Sequence, residues 1–137
     1  MVDLLELGRK ILKDQPFSVM LGTEFDAFEP GKAMLSLPIR EELKQQHGFV
    51  HGGVISYLAD NALTFAGGSV LGDSVTCEYK INYVRPAIGQ KLVAKATVLS
   101  SGKRQAVCHC EVIAIGDDGE RVVAVAQGTI NKLEPRK

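Results

Sequence analysis

The segment His47-Gly48-Phe49-Val50-His51-Gly52-Gly53-Val54-Ile55-Ser56-Tyr57-Leu58-Ala59-Asp60-Asn61-Ala62-Leu63 decides how this chain folds. It joins a turn-rich approach, a glycine pair, a long apolar run and one carboxylate. Ile55, Leu58, Ala59, Ala62 and Ala66 recur at i, i+3, i+4, i+7 and i+11, which is one face of an α-helix. Val54, Leu63 and Phe65 carry the apolar surface most of the way round, so the helix is predicted to be buried. Gly53, Ser56, Asp60 and Thr64 form one narrow polar line along it. A helix that starts at Gly52-Gly53 leaves its first N–H groups without intrahelical acceptors, at the positive end of its dipole. That end suits a polarised carbonyl or a developing oxyanion. Asp60 lies about two turns on, roughly 10–12 Å along the axis at 1.5 Å per residue. It cannot serve a carbonyl held at the start of its own helix, whereas Asp60 of a second, antiparallel copy could.

Working outward, Leu4, Leu7 and Ile11 lie at i, i+3 and i+7, with Leu5 and Leu12 beside them, and predict an amphipathic helix stopped near Pro16. Around Glu29-Pro30-Gly31-Lys32, residues 23–28 and 32–39 form a hairpin pattern, with Ala33, Leu35, Leu37 and Ile39 inward. Gly67-Gly68 and Gly72-Asp73 read as the end of the long helix. Strand patterns follow at 74–85, 92–100, 105–115 and 121–132. The short turns between them predict a four-strand antiparallel meander. The result is an α+β fold, one sheet curling over one long helix, as a single domain over residues 1–137.

With 137 residues the chain is long enough for one core. Lys+Arg and Asp+Glu are equal at 16 each, so the basic footprint of a nucleic-acid binder is missing. Near neutrality also favours self-association. No run approaches the roughly 20 apolar residues of a membrane span, and the acidic start does not read as a signal peptide. Three cysteines without a secretion signal point to free thiols in a reducing cytoplasm. His47 and His51 are four apart, but Gly48 and the glycine pair break any helix there, so no metal site is expected. Cys108-His109-Cys110 is strand alternation, with both thiols on one face. No Gly-x-Ser-x-Gly elbow, P-loop or dinucleotide loop occurs, and no cofactor is implied.

The chain resembles the hotdog-fold acyl-CoA thioesterases, in particular the PaaI-like branch. The resemblance is carried by His51-Gly52-Gly53, by Leu58-Ala59-Asp60-Asn61-Ala62, by Asn82-Tyr83-Val84-Arg85-Pro86-Ala87 and by the Gly102-Lys103 turn. It implies an antiparallel sheet wrapped around a long central helix, with a helix at the N-terminus. It further implies that the Gly52 amide, with Gly53 beside it, polarises a thioester carbonyl. Asp60, supplied by the partner subunit, would be base or nucleophile, His51 would orient substrate, and Thr76 on the next strand would assist. Where relatives commonly carry Asn before the motif histidine, this chain has Gln45, followed by Gln46. Tyr57, Asn61 and Thr64 are candidate substrate contacts, and Arg85, Lys103 and Arg104 candidate contacts to the phosphates of CoA. The implied assembly is a homo-oligomer, a dimer at least and a tetramer as a dimer of dimers. Two other functions fit the same fold: an enoyl-thioester hydratase or dehydratase, and a non-catalytic acyl-CoA binding module.

Overall fold

A computed structural model describes residues 3–135. Helix α1 covers Leu4–Lys13 and is capped by Asp3, whose carboxylate accepts from the Leu5 and Glu6 amides at 3.0 and 3.4 Å. Lys10 and Lys13 lie in its last turn, where cations offset the dipole. The helix ends before Pro16 as the pattern predicts. A six-residue helix α2, Pro16–Leu21, follows at once and was not legible in the sequence. Pro at its first position signals a break and an N-terminus alike, and six residues are too few to show a period.

Strands β1 (Glu24–Glu29) and β2 (Lys32–Pro38) form the expected hairpin, turning at Gly31 with φ +83°. Ala33, Leu35 and Leu37 are buried, and Ile39 packs against the core from its edge. Helix α3 then runs from Gly52 to Leu71, about 30 Å. All five residues of the predicted inward face are buried.

The helix does not end at Gly67-Gly68. It passes through both and stops at Gly72, where φ is +91°. Gly67 instead serves packing: a Cβ there would lie 2.8 Å from the Ile130 Cβ. The intrinsic cost of a mid-helix glycine, about 1 kcal/mol, is accepted so that helix and sheet can close up.

Strands β3 (Ser74–Tyr83), β4 (Lys91–Ser101), β5 (Gln105–Gly116) and β6 (Gly119–Lys132) begin and end within two residues of the sequence expectation. Their order corrects it. The sheet runs β1-β2-β4-β5-β6-β3, all antiparallel. Only β4-β5-β6 is a meander; β3 pairs with β6 at the far edge, and β4 pairs with β2. The link 84–90 therefore crosses three strand spacings, about 14 Å, well within reach of seven residues. The reason lies in the side chains. β3 is largely exposed or half-buried, as an edge strand can be, whereas β4 and β5 carry the buried Leu92, Ala94, Cys108, Cys110 and Val112 that belong in mid-sheet.

The concave face closes over α3, which packs against β2 through β6. Cys108 and Cys110 point into that core and are unpaired, as is the exposed Cys77. Burial pushes the Cys108 thiol up to about 11 and the Cys110 thiol up to about 12, the latter helped by Glu111. These two are packing residues.

Candidate active site

Strand β3 runs back along α3, and the polar line of the helix faces it. Tyr83 meets Gly52, Tyr79 meets Ser56, and Thr76 meets Asp60 and Thr64. The site residues divide between the start of α3 and its middle.

At the start, the loop 44–51 is pinned by a bridge between Lys44 and Val50 and by Gly48 at φ +85°. The Gln45 side-chain oxygen accepts from the His47 amide. His51 is the N-cap of α3. Its Nδ1 accepts from the Gly53 N–H at 2.8 Å, so any proton on a neutral ring sits on Nε2. This corrects the expectation that both glycine amides face a carbonyl. The Gly53 N–H is taken by the imidazole, and the Val54 and Ile55 amides both reach the His51 carbonyl. The Gly52 N–H has no acceptor among the described residues.

The two glycines are required for different reasons. A Cβ at Gly53 would lie 3.0 Å from His51 Nδ1, so the capping ring needs the space. A Cβ at Gly52 would meet only the Tyr83 ring at 3.5 Å, an ordinary contact. Nothing inside the chain demands glycine at 52, and a ligand seated on its amide would. Gly52 opens on a cleft of about 430 Å³ shared with Gln45, Phe49, Tyr83 and Arg85. Tyr83 donates its hydroxyl to the Gly52 carbonyl at 3.2 Å, a contact the sequence reading did not single out. The signal was there, since Tyr83 lies within the quoted stretch from Asn82 to Ala87.

In the middle of the helix, half-buried Asp60 accepts through Oδ1 from the Thr76 hydroxyl at 2.6 Å. Thr76 lies 2.8 Å from the Thr64 hydroxyl, which in turn reaches the Asp60 carbonyl at 2.8 Å. A β-bulge between Thr76 and Glu78 inserts Cys77 and turns Thr76 onto the helix. Thr64, expected to touch substrate, is thus also part of the support of the carboxylate. No partner holds Asp60 Oδ2 among the described residues.

Tyr57 and Asn61 are committed elsewhere. The Tyr57 hydroxyl bonds Ser18 at 2.5 Å and Thr23 at 2.8 Å, and Asn61 reaches the Gln15 side chain at 3.1 Å. Together they hold α2 against α3. Tyr57 lines neither cleft, a correction to its expected place, because its hydroxyl is satisfied within this network; Asn61 still borders the groove described below.

The three expected phosphate contacts are also separated. Arg85 is exposed beside Gly52. Lys103 and Arg104 lie at the β4–β5 turn, at the end of the sheet where Ser101, Ala106, Ile130 and Thr76 are in register. Arg104 is only loosely matched by Glu134 at 3.9 Å, both well exposed.

A free amide at a helix start can take charge on an oxygen, and a hydrogen-bonded carboxylate can handle water, which is chemistry that acyl transfer uses. Residues 47–126 match the model of the thioesterase superfamily. The chain belongs to that superfamily, an enzyme family of thioester hydrolases with the hotdog fold. The 1,4-dihydroxy-2-naphthoyl-CoA hydrolase of Listeria monocytogenes is 31% identical over 120 residues, covering 85% of this chain and 95% of that protein. The acyl-coenzyme A thioesterase PaaI of Escherichia coli is 26% identical over 114 residues, covering 82% and 79%. The crystal structure of a thioesterase family protein from Silicibacter pomeroyi superposes with a TM-score of 0.92 at 30% identity, covering 97% of this chain and all of that one. Among the described residues no helix is long and apolar enough to cross a membrane, and no three His, Cys, Asp or Glu side chains are grouped to hold a metal.

Proposed function

We propose that this protein is an acyl-CoA thioesterase whose site is completed by two copies of the chain. The Gly52 N–H of one copy takes the thioester carbonyl, and Asp60 of the other activates water. The water oxygen attacks the carbonyl carbon and its proton passes to the carboxylate. The tetrahedral oxyanion rests on the Gly52 amide; then the C–S bond breaks and CoA leaves as the thiolate, to be protonated. Thr76 orients the carboxylate, and its hydrogen bond leaves Asp60 Oδ2 for the water.

The observation that carries this reading is the placement of the free Gly52 amide and of Asp60, held by Thr76 from β3, eight residues apart on one helix, about 12 Å along its axis. That is too far for one carbonyl and suited to a two-fold pair of helices running in opposite directions. The long, exposed edge strand β3 carries Thr76 and Tyr83 and offers the surface for such pairing. A dimer of dimers is the proposed assembly. Arg85 would then meet CoA phosphates beside Gly52, with Lys103 and Arg104 brought in from the other copy. The unpaired thiols support a cytoplasmic setting.

The observation on His51 weighs against hydration or dehydration as the reaction. Its Nδ1 is spent on capping the helix rather than on pairing with an acid for α-proton work. The test is thiol release from a panel of short, medium, long and aryl CoA thioesters, with Asp60→Asn as control. Thiol release from at least one thioester, lost in Asp60→Asn, supports the reading. Turnover that Asp60→Asn leaves intact, or no turnover across the panel, would overturn it.

A further inference from the structure

Helix α1 lies outside the stretch that matches the superfamily model. Its residues Gly8 and Leu12 are buried. Gly8 lets the helix dock closely on β1, since a Cβ there would come within 2.6 Å of Phe25 and 2.8 Å of Phe28. The predicted apolar stripe Leu4, Leu7 and Ile11 is not what the core receives. Leu7 and Ile11 remain 41% and 42% exposed. The stripe forms one wall of a groove of about 750 Å³ whose other wall is the C-terminal half of α3, with Phe28 and Phe65 among its lining. That volume is in the range of small-molecule sites.

The groove runs into the polar machinery. Thr64 lines it and also touches Thr76, which holds Asp60. It extends from Asn61 and Thr64, next to Asp60 on the helix, toward the end of α3, away from Gly52 and Arg85. A thioester placed with its carbonyl at Asp60 must send its CoA and acyl arms in different directions, and the apolar groove is the direction for an acyl arm.

We propose that the groove between α1 and α3 is the acyl subsite, that it takes a medium-chain acyl group, and that Leu7 and Ile11 set the length it accepts. This rests on the thioesterase reading above. From Leu4 to Ile11 the wall is about 10 Å long, which an acetyl group leaves mostly unfilled. Each methylene fully withdrawn from water there strengthens binding about fourfold.

The experiment uses two non-hydrolysable thioethers, S-ethyl-CoA and S-octyl-CoA, titrated calorimetrically into the intact protein. The wild type is expected to bind S-octyl-CoA at least about 30-fold more tightly. Leu7→Trp and Ile11→Trp fill the groove at exposed positions and reduce that ratio to below about threefold, with S-ethyl-CoA affinity unchanged. Leu7→Ala, which widens the groove without crowding it, keeps the preference for S-octyl-CoA and guards against misfolding of the tryptophan variants. A wild-type ratio near one, or tryptophan variants with the wild-type ratio, would overturn the assignment. The two readings fail separately. Selective S-octyl-CoA binding without thiol release from octanoyl-CoA keeps the subsite and removes the hydrolase. Equal hydrolysis of acetyl- and octanoyl-CoA, unmoved by either tryptophan, removes the subsite alone.

Discussion

The two ends of the polar line on α3 are built in opposite ways. At its start, function is prepared by what is left unbonded: His51 caps Gly53 and the Gly52 N–H is left over. At its middle, function is prepared by what is bonded: Asp60 is held by Thr76, and Thr76 is met by Thr64. An oxyanion donor must be vacant before substrate arrives, and a carboxylate that handles water must be aimed. On the proposed reading, one helix supplies both halves of a site because a second copy brings them together.

The largest effect is expected at the carboxylate. Asp60→Asn keeps an oxygen to accept from Thr76, so the fold stays and the melting temperature shifts little. Without the general base the activity falls by about 10²–10⁴-fold, measured as kcat on the best CoA thioester. Gly52→Pro attacks the other half. Proline suits the first position of a helix, and His51 at ψ 134° already has the backbone that a residue before proline adopts. The variant removes the N–H and sets a ring beside the cleft, and kcat is expected to fall by at least about 10²–10³-fold. The comparison breaks if this variant remains active.

Mixing those two inactive variants sharpens the comparison further. A hybrid dimer contains one site with an intact Gly52 from one chain and an intact Asp60 from the other. Refolding them together from equal amounts should restore about a quarter of wild-type activity, because half the dimers are hybrids with one working site of two. A site confined to one chain would regain nothing.

Smaller effects follow. Thr76→Val removes one hydrogen bond to a charged group, worth about 1.5–3 kcal/mol. It should lower kcat by roughly 10- to 100-fold with KM nearly unchanged, and an unchanged kcat would show that the bond does no orienting. Gly67→Ala tests packing away from the site. With Ile130 at 2.8 Å from the new Cβ, it should cost about 1–3 kcal/mol in a denaturant titration, despite alanine's better helix propensity.

Much of the site could be read from the chain. The helix and its buried face follow from spacing at 55, 58, 59, 62 and 66, since burial and a 3.6-residue period leave little choice. The polar line 53, 56, 60, 64 is the same geometry seen from the other side. The place of Thr76 came from resemblance, and the structure puts its hydroxyl against the carboxylate. Other features depended on partners distant in sequence. Gly67 reads as a terminator until Ile130 is beside it. The Gly53 amide reads as free until the His51 ring turns onto it. The edge position of β3 was present in its polar alternation, yet the short link 84–90 argued more strongly for the wrong neighbour.

By itself the sequence determined the elements, their inward faces and the pairing of a glycine helix start with an acid two turns on, because these depend on periodicity and local backbone chemistry. Tertiary structure alone decided the strand order, which of two adjacent amides stays free, and that the stripe of α1 lines a groove instead of the core. Each of those depends on which surfaces meet, and contacts between residues far apart along the chain leave no period in it.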